Sequence, residues 1–269
     1  MTPTASIVTL ADGTRLSYAA AGPESSPAVV MLPGPTDSWR SYAPVLELLP
    51  SSIRAIAVSQ RGHGDSDKPA TGYRVQDFAD DVVPLLDALR VERAVVAGHS
   101  GSCLVARRVA LDHPDRVTGL VLEAAPTTLN GDPGLEEFVK SIVADLHDPI
   151  DPAFARSLVA ETSSEDVPAD VVHELAGELL KVPARVWKEM FSGLLDHDDL
   201  EDLGRIAAPT LLIWGDADNL VGRAMQDTLV ERLRDAQLHV YEGLGHTPRW
   251  EDAARFSGDV ADFVLRVRA

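Results

Sequence analysis

Eight short segments of strand-like pattern, most of them alternating with helical patterns, predict an α/β protein with a mostly parallel, eight-stranded sheet wound by helices on both faces. Three observations carry this expectation. The continuous apolar runs at 28–32, 53–58, 117–122 and 210–214 suit strands buried on both faces of a parallel sheet. Segments with apolar residues at helical spacing separate most of them. For residues 126–205 the alternation stops and the pattern becomes helical and irregular, which predicts an insertion into the core. The expected division is a core of residues 1–125 and 206–269 with a helical insertion at 126–205.

Taken in order, residues 6–10 and 14–20 alternate apolar and polar about Asp12-Gly13, a pair suited to a tight hairpin. A helix is expected over 39–49. Val75, Phe78, Val82, Leu85, Leu86 and Leu89 recur at helical spacing, with a kink expected at Pro84. The run 94–97 is a short strand that meets Gly98-His99-Ser100-Gly101-Ser102 and then a helical pattern. The strand at 117–122 ends at Glu123. In the insertion, Val139, Ile142, Val143 and Leu146 are expected to share one helical face, and Val171, Val172, Leu175 and Leu179 another. Asp148-Pro149, Asp151-Pro152 and the polar run 162–170 read as turns between them. The core resumes with the strand at 210–214, a helix at about 222–233 and a strand at 237–241. A closing helix carries Phe256, Val260, Phe263 and Val264.

Composition narrows the function. The 269 residues hold 24 Lys and Arg against 42 Asp and Glu, a formal charge of −18, which disfavours nucleic acid and anionic membranes as partners. The single cysteine, Cys103, leaves no internal disulfide and is expected as a small buried residue of the helix after Ser100. No basic segment followed by an apolar run opens the chain, and no run has the length of a membrane span, so a cytoplasmic location is expected. Neither a metal-ligand cluster nor a dinucleotide-type glycine fingerprint occurs, and no cofactor or metal is expected.

The chemistry is concentrated where a strand turns sharply into a helix. A residue pinched there projects its side chain clear of the sheet, provided its neighbours are small. Gly98-His99-Ser100-Gly101-Ser102 resembles the nucleophile elbow of the α/β-hydrolase superfamily, G-x-S-x-G, with serine in place of the last glycine. Further segments resemble the same family in the same order. They are Leu32-Pro33-Gly34-Pro35-Thr36, with proline where histidine is usual, then Arg61-Gly62-His63-Gly64-Asp65-Ser66, the segment 209–218, and Gly245-His246-Thr247-Pro248.

The resemblance implies Ser100 as nucleophile, His246 as base and Asp218 as the acid that orients it, with Glu123 at the end of the preceding strand as the alternative acid. Asp216 is expected to stabilise the turn, and His63 and His99 to be structural or surface residues. Gly101 is implied as one backbone donor to the oxyanion. Pro35 occupies the place of the second donor but has no N–H, so Thr36 is the substitute candidate. Trp187 and Phe191, spaced i, i+4 in the cap, are candidates for lining the substrate site, although core packing is the commoner use of such a pair.

The implied activity is cleavage of a small-to-medium apolar carboxylic ester or lactone, macrolactones included, through an acyl-enzyme. A C–C bond hydrolase or cofactor-free perhydrolase would use the same three residues. A ligand-binding protein with little turnover is the non-enzyme alternative, supported by Pro33 and Pro35. The expected partner is the small ester or lactone itself, with a homodimer as the allowed assembly.

Overall fold

A computed structural model describes residues 3–162 and 167–267. Its eight strands are β1 (Ser6–Thr9), β2 (Arg15–Ala21), β3 (Ala28–Leu32), β4 (Arg54–Val58), β5 (Ala94–His99), β6 (Val117–Glu123), β7 (Thr210–Gly215) and β8 (Ala236–Tyr241). They form one sheet in the order β1-β2-β4-β3-β5-β6-β7-β8. β1 and β2 are antiparallel to their neighbours, and the pairs from β4 through β8 are parallel.

Helices cover both faces. α1 (Ala43–Leu48) and the C-terminal helix (Ala253–Arg266) pack on one, where Val29 and Met31 of β3 meet Tyr42, Val45, Phe256 and Val260. α2 (Val75–Ala88) and α3 (Ser102–Asp112) pack on the other, where Val30 and Leu32 meet Phe78, Leu86, Leu104 and Val109. Alternate residues of one strand thus feed two cores, which explains why its sequence is apolar throughout.

Local chemistry sets several boundaries. The helix expected over 39–49 is two pieces, a 3₁₀ turn at Trp39–Tyr42 and then α1, which restarts with Pro44 in its first turn, where a missing N–H costs no helical bond. Pro84 lies within α2, which runs on to Ala88.

Between β6 and β7 lie α4 (Pro133–Ser141), α5 (Pro152–Glu161), α6 (Ala169–Leu179) and α7 (Ala184–Asp196). Asp132 and Asp151 cap α4 and α5 by accepting from the N–H groups of Leu135 and Ala153. The single face expected for Val139, Ile142, Val143 and Leu146 is broken: α4 ends at Ser141, the backbone of Ile142 leaves the helical region, and Val143 is buried from a separate 3₁₀ turn. Of the polar run expected as a turn, residues 163–166 lie outside the described residues and Ala169 already opens α6. The amphipathic α7 buries Val186, Trp187, Met190, Phe191 and Leu194. It is fixed to the core by Glu189, which accepts from the N–H groups of Gly72 (2.8 Å) and Tyr73 (3.1 Å). Among the described residues no helix is long and apolar enough to cross a membrane.

Candidate active site

The carboxyl ends of β5, β6 and β7 lie side by side, and the loops leaving β3 and β8 close over them. Ser100 follows β5 with φ at +52°, a left-handed conformation that a non-glycine residue adopts only where its surroundings impose it. Two backbone bonds impose it here: the Ser100 N–H donates to the Glu123 carbonyl (2.9 Å), and its own carbonyl accepts from the Cys103 N–H (2.9 Å). Gly98 is required because a Cβ there would lie 2.5 Å from the Ser102 carbonyl oxygen.

β7 ends at Gly215, and a Cβ at that position would meet the carbonyl oxygens of Leu244 (2.2 Å) and Gly245 (2.4 Å). This close crossing brings the loop after β8 back over the end of β7. There His246 Nδ1 lies 2.8 Å from Asp218 Oδ2, with the imidazole 5% exposed and the carboxylate fully buried. Asp218 Oδ1 accepts from the N–H groups of Leu220 (2.8 Å) and Val221 (3.0 Å), so both oxygens are occupied and the carboxylate is fixed. An Nδ1–H donated to a carboxylate leaves Nε2 as the basic nitrogen. Among the described residues Ser100 Oγ makes no hydrogen bond. Links of that kind tighten when substrate fills an active site.

Glu123, the other acid, is held elsewhere. Its Oε1 accepts from the Arg249 N–H (3.0 Å), its Oε2 lies 3.2 Å from Arg249 Nη1, and the Tyr42 hydroxyl donates to Oε2 (3.4 Å). Arg249 is fully buried and also pairs with Asp37 (2.9 Å). Burial pushes the Glu123 and Asp37 carboxyls up from the ordinary range, while Arg249 opposes that shift at both. Asp216 accepts from the Gly243 N–H, bracing the turn.

The loop after β3 departs most from the family pattern. Asp37 N–H donates to the Gly34 carbonyl (3.1 Å), closing a four-residue turn with Pro35 second and Thr36 third. Thr36 has φ at +71°, the left-handed value that a type II turn demands at that place. The N–H groups of Thr36 and Gly101 have no hydrogen-bond partner among the described residues. The Pro35 ring faces Gly101 across the site: a Cβ on Gly101 would lie 2.9 Å from Pro35 Cγ and 3.2 Å from Leu194 Cδ1.

Trp187 and Phe191 stack with ring centroids 5.6 Å apart, and Trp187 is completely buried against Phe154. Leu194, one turn beyond Phe191, reaches the elbow at Gly101. Sequence reading missed it, because only the docking of α7 distinguishes it from the other leucines. His99, expected as a structural or surface residue, is buried, and its Nε2 lies 3.0 Å from the His246 carbonyl, so the variable position of the elbow anchors the histidine loop. Burial and the Arg249 charge hold its pKa well below the usual histidine value, which keeps it a neutral donor. Cys103 is buried, and desolvation pushes its thiol well up, away from nucleophilic use. Among the described residues no group of three or more His, Cys, Asp or Glu is placed to hold a metal ion.

A mostly parallel sheet, a strained serine between β5 and α3, and a buried acid–histidine pair at the next strand ends define an α/β hydrolase architecture. The chain belongs to the alpha/beta hydrolase fold family, whose model matches residues 27–253. It is 32% identical over 259 residues to a non-heme chloroperoxidase of Streptomyces lividans, covering 89% of this chain and 92% of that one. It is 31% identical over 246 residues to 2-hydroxymuconate semialdehyde hydrolase of Pseudomonas sp. strain CF600, covering 88% and 85%. The solved esterase RhEst1 of Rhodococcus sp. ECU1013 is 27% identical with a TM-score of 0.84, covering 98% of this chain and 99% of that one. These relatives support hydrolase activity and leave the substrate open.

Proposed function

We propose that the protein is a serine hydrolase of small-to-medium apolar carboxylic esters or lactones. The observation that carries this reading is the buried Asp218–His246 pair, on a loop bonded to His99, the neighbour of Ser100, with Ser100 itself held at φ +52°. In the proposed reaction Ser100 Oγ attacks the substrate carbonyl and His246 Nε2 takes its proton, while Asp218 fixes the imidazole and stabilises the charge it acquires. The unbonded N–H groups of Gly101 and Thr36 receive the developing oxyanion. Thr36 stands in for Pro35, and its strained backbone is the cost of presenting that donor. The acyl group then passes from Ser100 to a water that His246 activates. Residues 126–205 act as the cap, with Leu194 and Pro35 giving the site an apolar boundary. The esterase likeness agrees with an acyl substrate of this kind.

The test is hydrolysis of p-nitrophenyl acetate and butyrate by the wild type and Ser100→Ala, with intact mass after treatment with an organophosphonate. The expected result is a single label on Ser100 and a loss of at least about a thousandfold in turnover on substitution. Products of C–C cleavage or peracid formation, with no ester turnover, would move the reaction class. Unlabelled protein that binds and returns its ligand intact would remove the enzyme reading.

A further inference from the structure

The turn that presents Thr36 has little backbone with which to attach itself to the rest of the site. Pro33 and Pro35 lack N–H groups, and the Gly34 carbonyl is used inside the turn by Asp37. Among the described residues, the hydrogen bonds that residues 33–35 make outside the turn all fall on the Pro33 carbonyl. Ser102 Oγ donates to it at 2.6 Å, and Gln60 Nε2 donates to it at 3.2 Å. Gln60 Nε2 also donates to Ser102 Oγ at 2.9 Å, which orients that hydroxyl so that its proton points at Pro33. Ser102 is 4% exposed and Gln60 9%, so water does not compete for these bonds.

Ser102 is the residue that replaces the last glycine of the elbow pattern, and Pro33 the one that replaces the histidine of the loop. The steric need for a small residue falls on Gly98, not on 102, so a side chain is admissible there. We propose that these two departures are coupled: Ser102, supported by Gln60, is a positioning residue that holds the Pro33–Thr36 turn at the correct height over Ser100. It acts through the Pro33 carbonyl and does not touch substrate. The proposal rests on the acyl-transfer reading, and it runs against the family pattern, since restoring glycine at 102 should impair the enzyme.

The experiment compares wild type, Ser102→Ala, Ser102→Gly, Gln60→Met and the double variant Ser102→Ala/Gln60→Met. Active sites are titrated by the phosphonate label, so rates refer to folded protein. The readouts are kcat, KM and the inhibition constant of an alkyl trifluoromethyl ketone, whose hemiketal places an oxyanion on the same donors. One lost buried hydrogen bond should lower kcat about fivefold to tenfold for either Ser102 variant, with KM within about twofold. The ketone should weaken by the same factor, and the double variant should lose more than either single change. Full kcat and unchanged ketone affinity in Ser102→Gly would overturn the positioning role. So would a fall in melting temperature alone. Wild type that takes no label at Ser100 would overturn the acyl-transfer reading and this role with it, an outcome distinct from a labelled wild type with indifferent variants.

Discussion

Glu123 at the end of β6 and Asp218 just beyond β7 sit at adjacent strand ends, and the structure buries both carboxylates almost completely. Burial does not separate them; their partners do. Asp218 is ringed by neutral donors, two backbone N–H groups and an imidazole, so in the proposed reaction its charge would be available to His246 as that ring takes up a proton. Glu123 is neutralised by a buried guanidinium that is itself shared with Asp37, so its charge is already committed to the fold. A carboxylate in the right place is thus a candidate acid only if no permanent cation reaches it first.

Substitution at Asp218 should separate the two acids most widely. Asp218→Asn is expected to lower kcat by roughly 10³–10⁴-fold through loss of the imidazole's tautomer and charge partner, measured by steady-state ester hydrolysis per titrated site. Glu123→Gln is expected to keep kcat within about threefold while lowering stability by roughly 3 kcal/mol, read by urea denaturation, because Arg249 loses one of its two buried anions. The reverse pattern, an inactive Glu123→Gln beside an active Asp218→Asn, would exchange their roles.

A third buried group isolates the effect of desolvation without an ion pair. His63 is 1% exposed, donates from Nδ1 to the Arg61 carbonyl at 2.9 Å, and is pushed by burial down to about 4. Its folded-state value lies below that of the unfolded chain, so as the pH falls below about 6.5 the unfolded chain takes up the proton first. Stability is full above that pH and declines toward pH 4 by on the order of 3 kcal/mol. The neutral His99 adds to the same trend, whereas the raised Asp37 and Glu123 oppose it near the ordinary carboxylate range. His63→Gln should flatten the fall in melting temperature between pH 7 and 5. An unchanged slope would show that another group sets it.

Much of this molecule was legible along the chain. The order of eight strands, the helical insertion after β6 and the elbow at Ser100 follow from short-range patterns, because apolar periodicity and turn residues act over a few positions. The family order of motifs likewise points to Ser100, Asp218 and His246 from the sequence alone. The misread segments were those where a local signal gives two answers. The 39–49 stretch splits between Tyr42 and Ala43, and the apolar positions of 139–146 are divided between the end of α4 and a separate 3₁₀ turn, although either reads as one helix by spacing alone.

What tertiary structure alone decided is which groups meet. No spacing places Arg249 on Glu123, 126 residues away, and it is that pairing which leaves Asp218 to the histidine. No pattern says that Leu194 reaches Gly101, or that Ser102 and Gln60 converge on the Pro33 carbonyl. Sequence fixes backbone preference and hydrophobic period because these are properties of neighbours in the chain. Charge neutralisation, hydrogen-bond satisfaction and the shape of a site depend on distances between residues far apart in sequence, and those exist only once the sheet has brought its strand ends together.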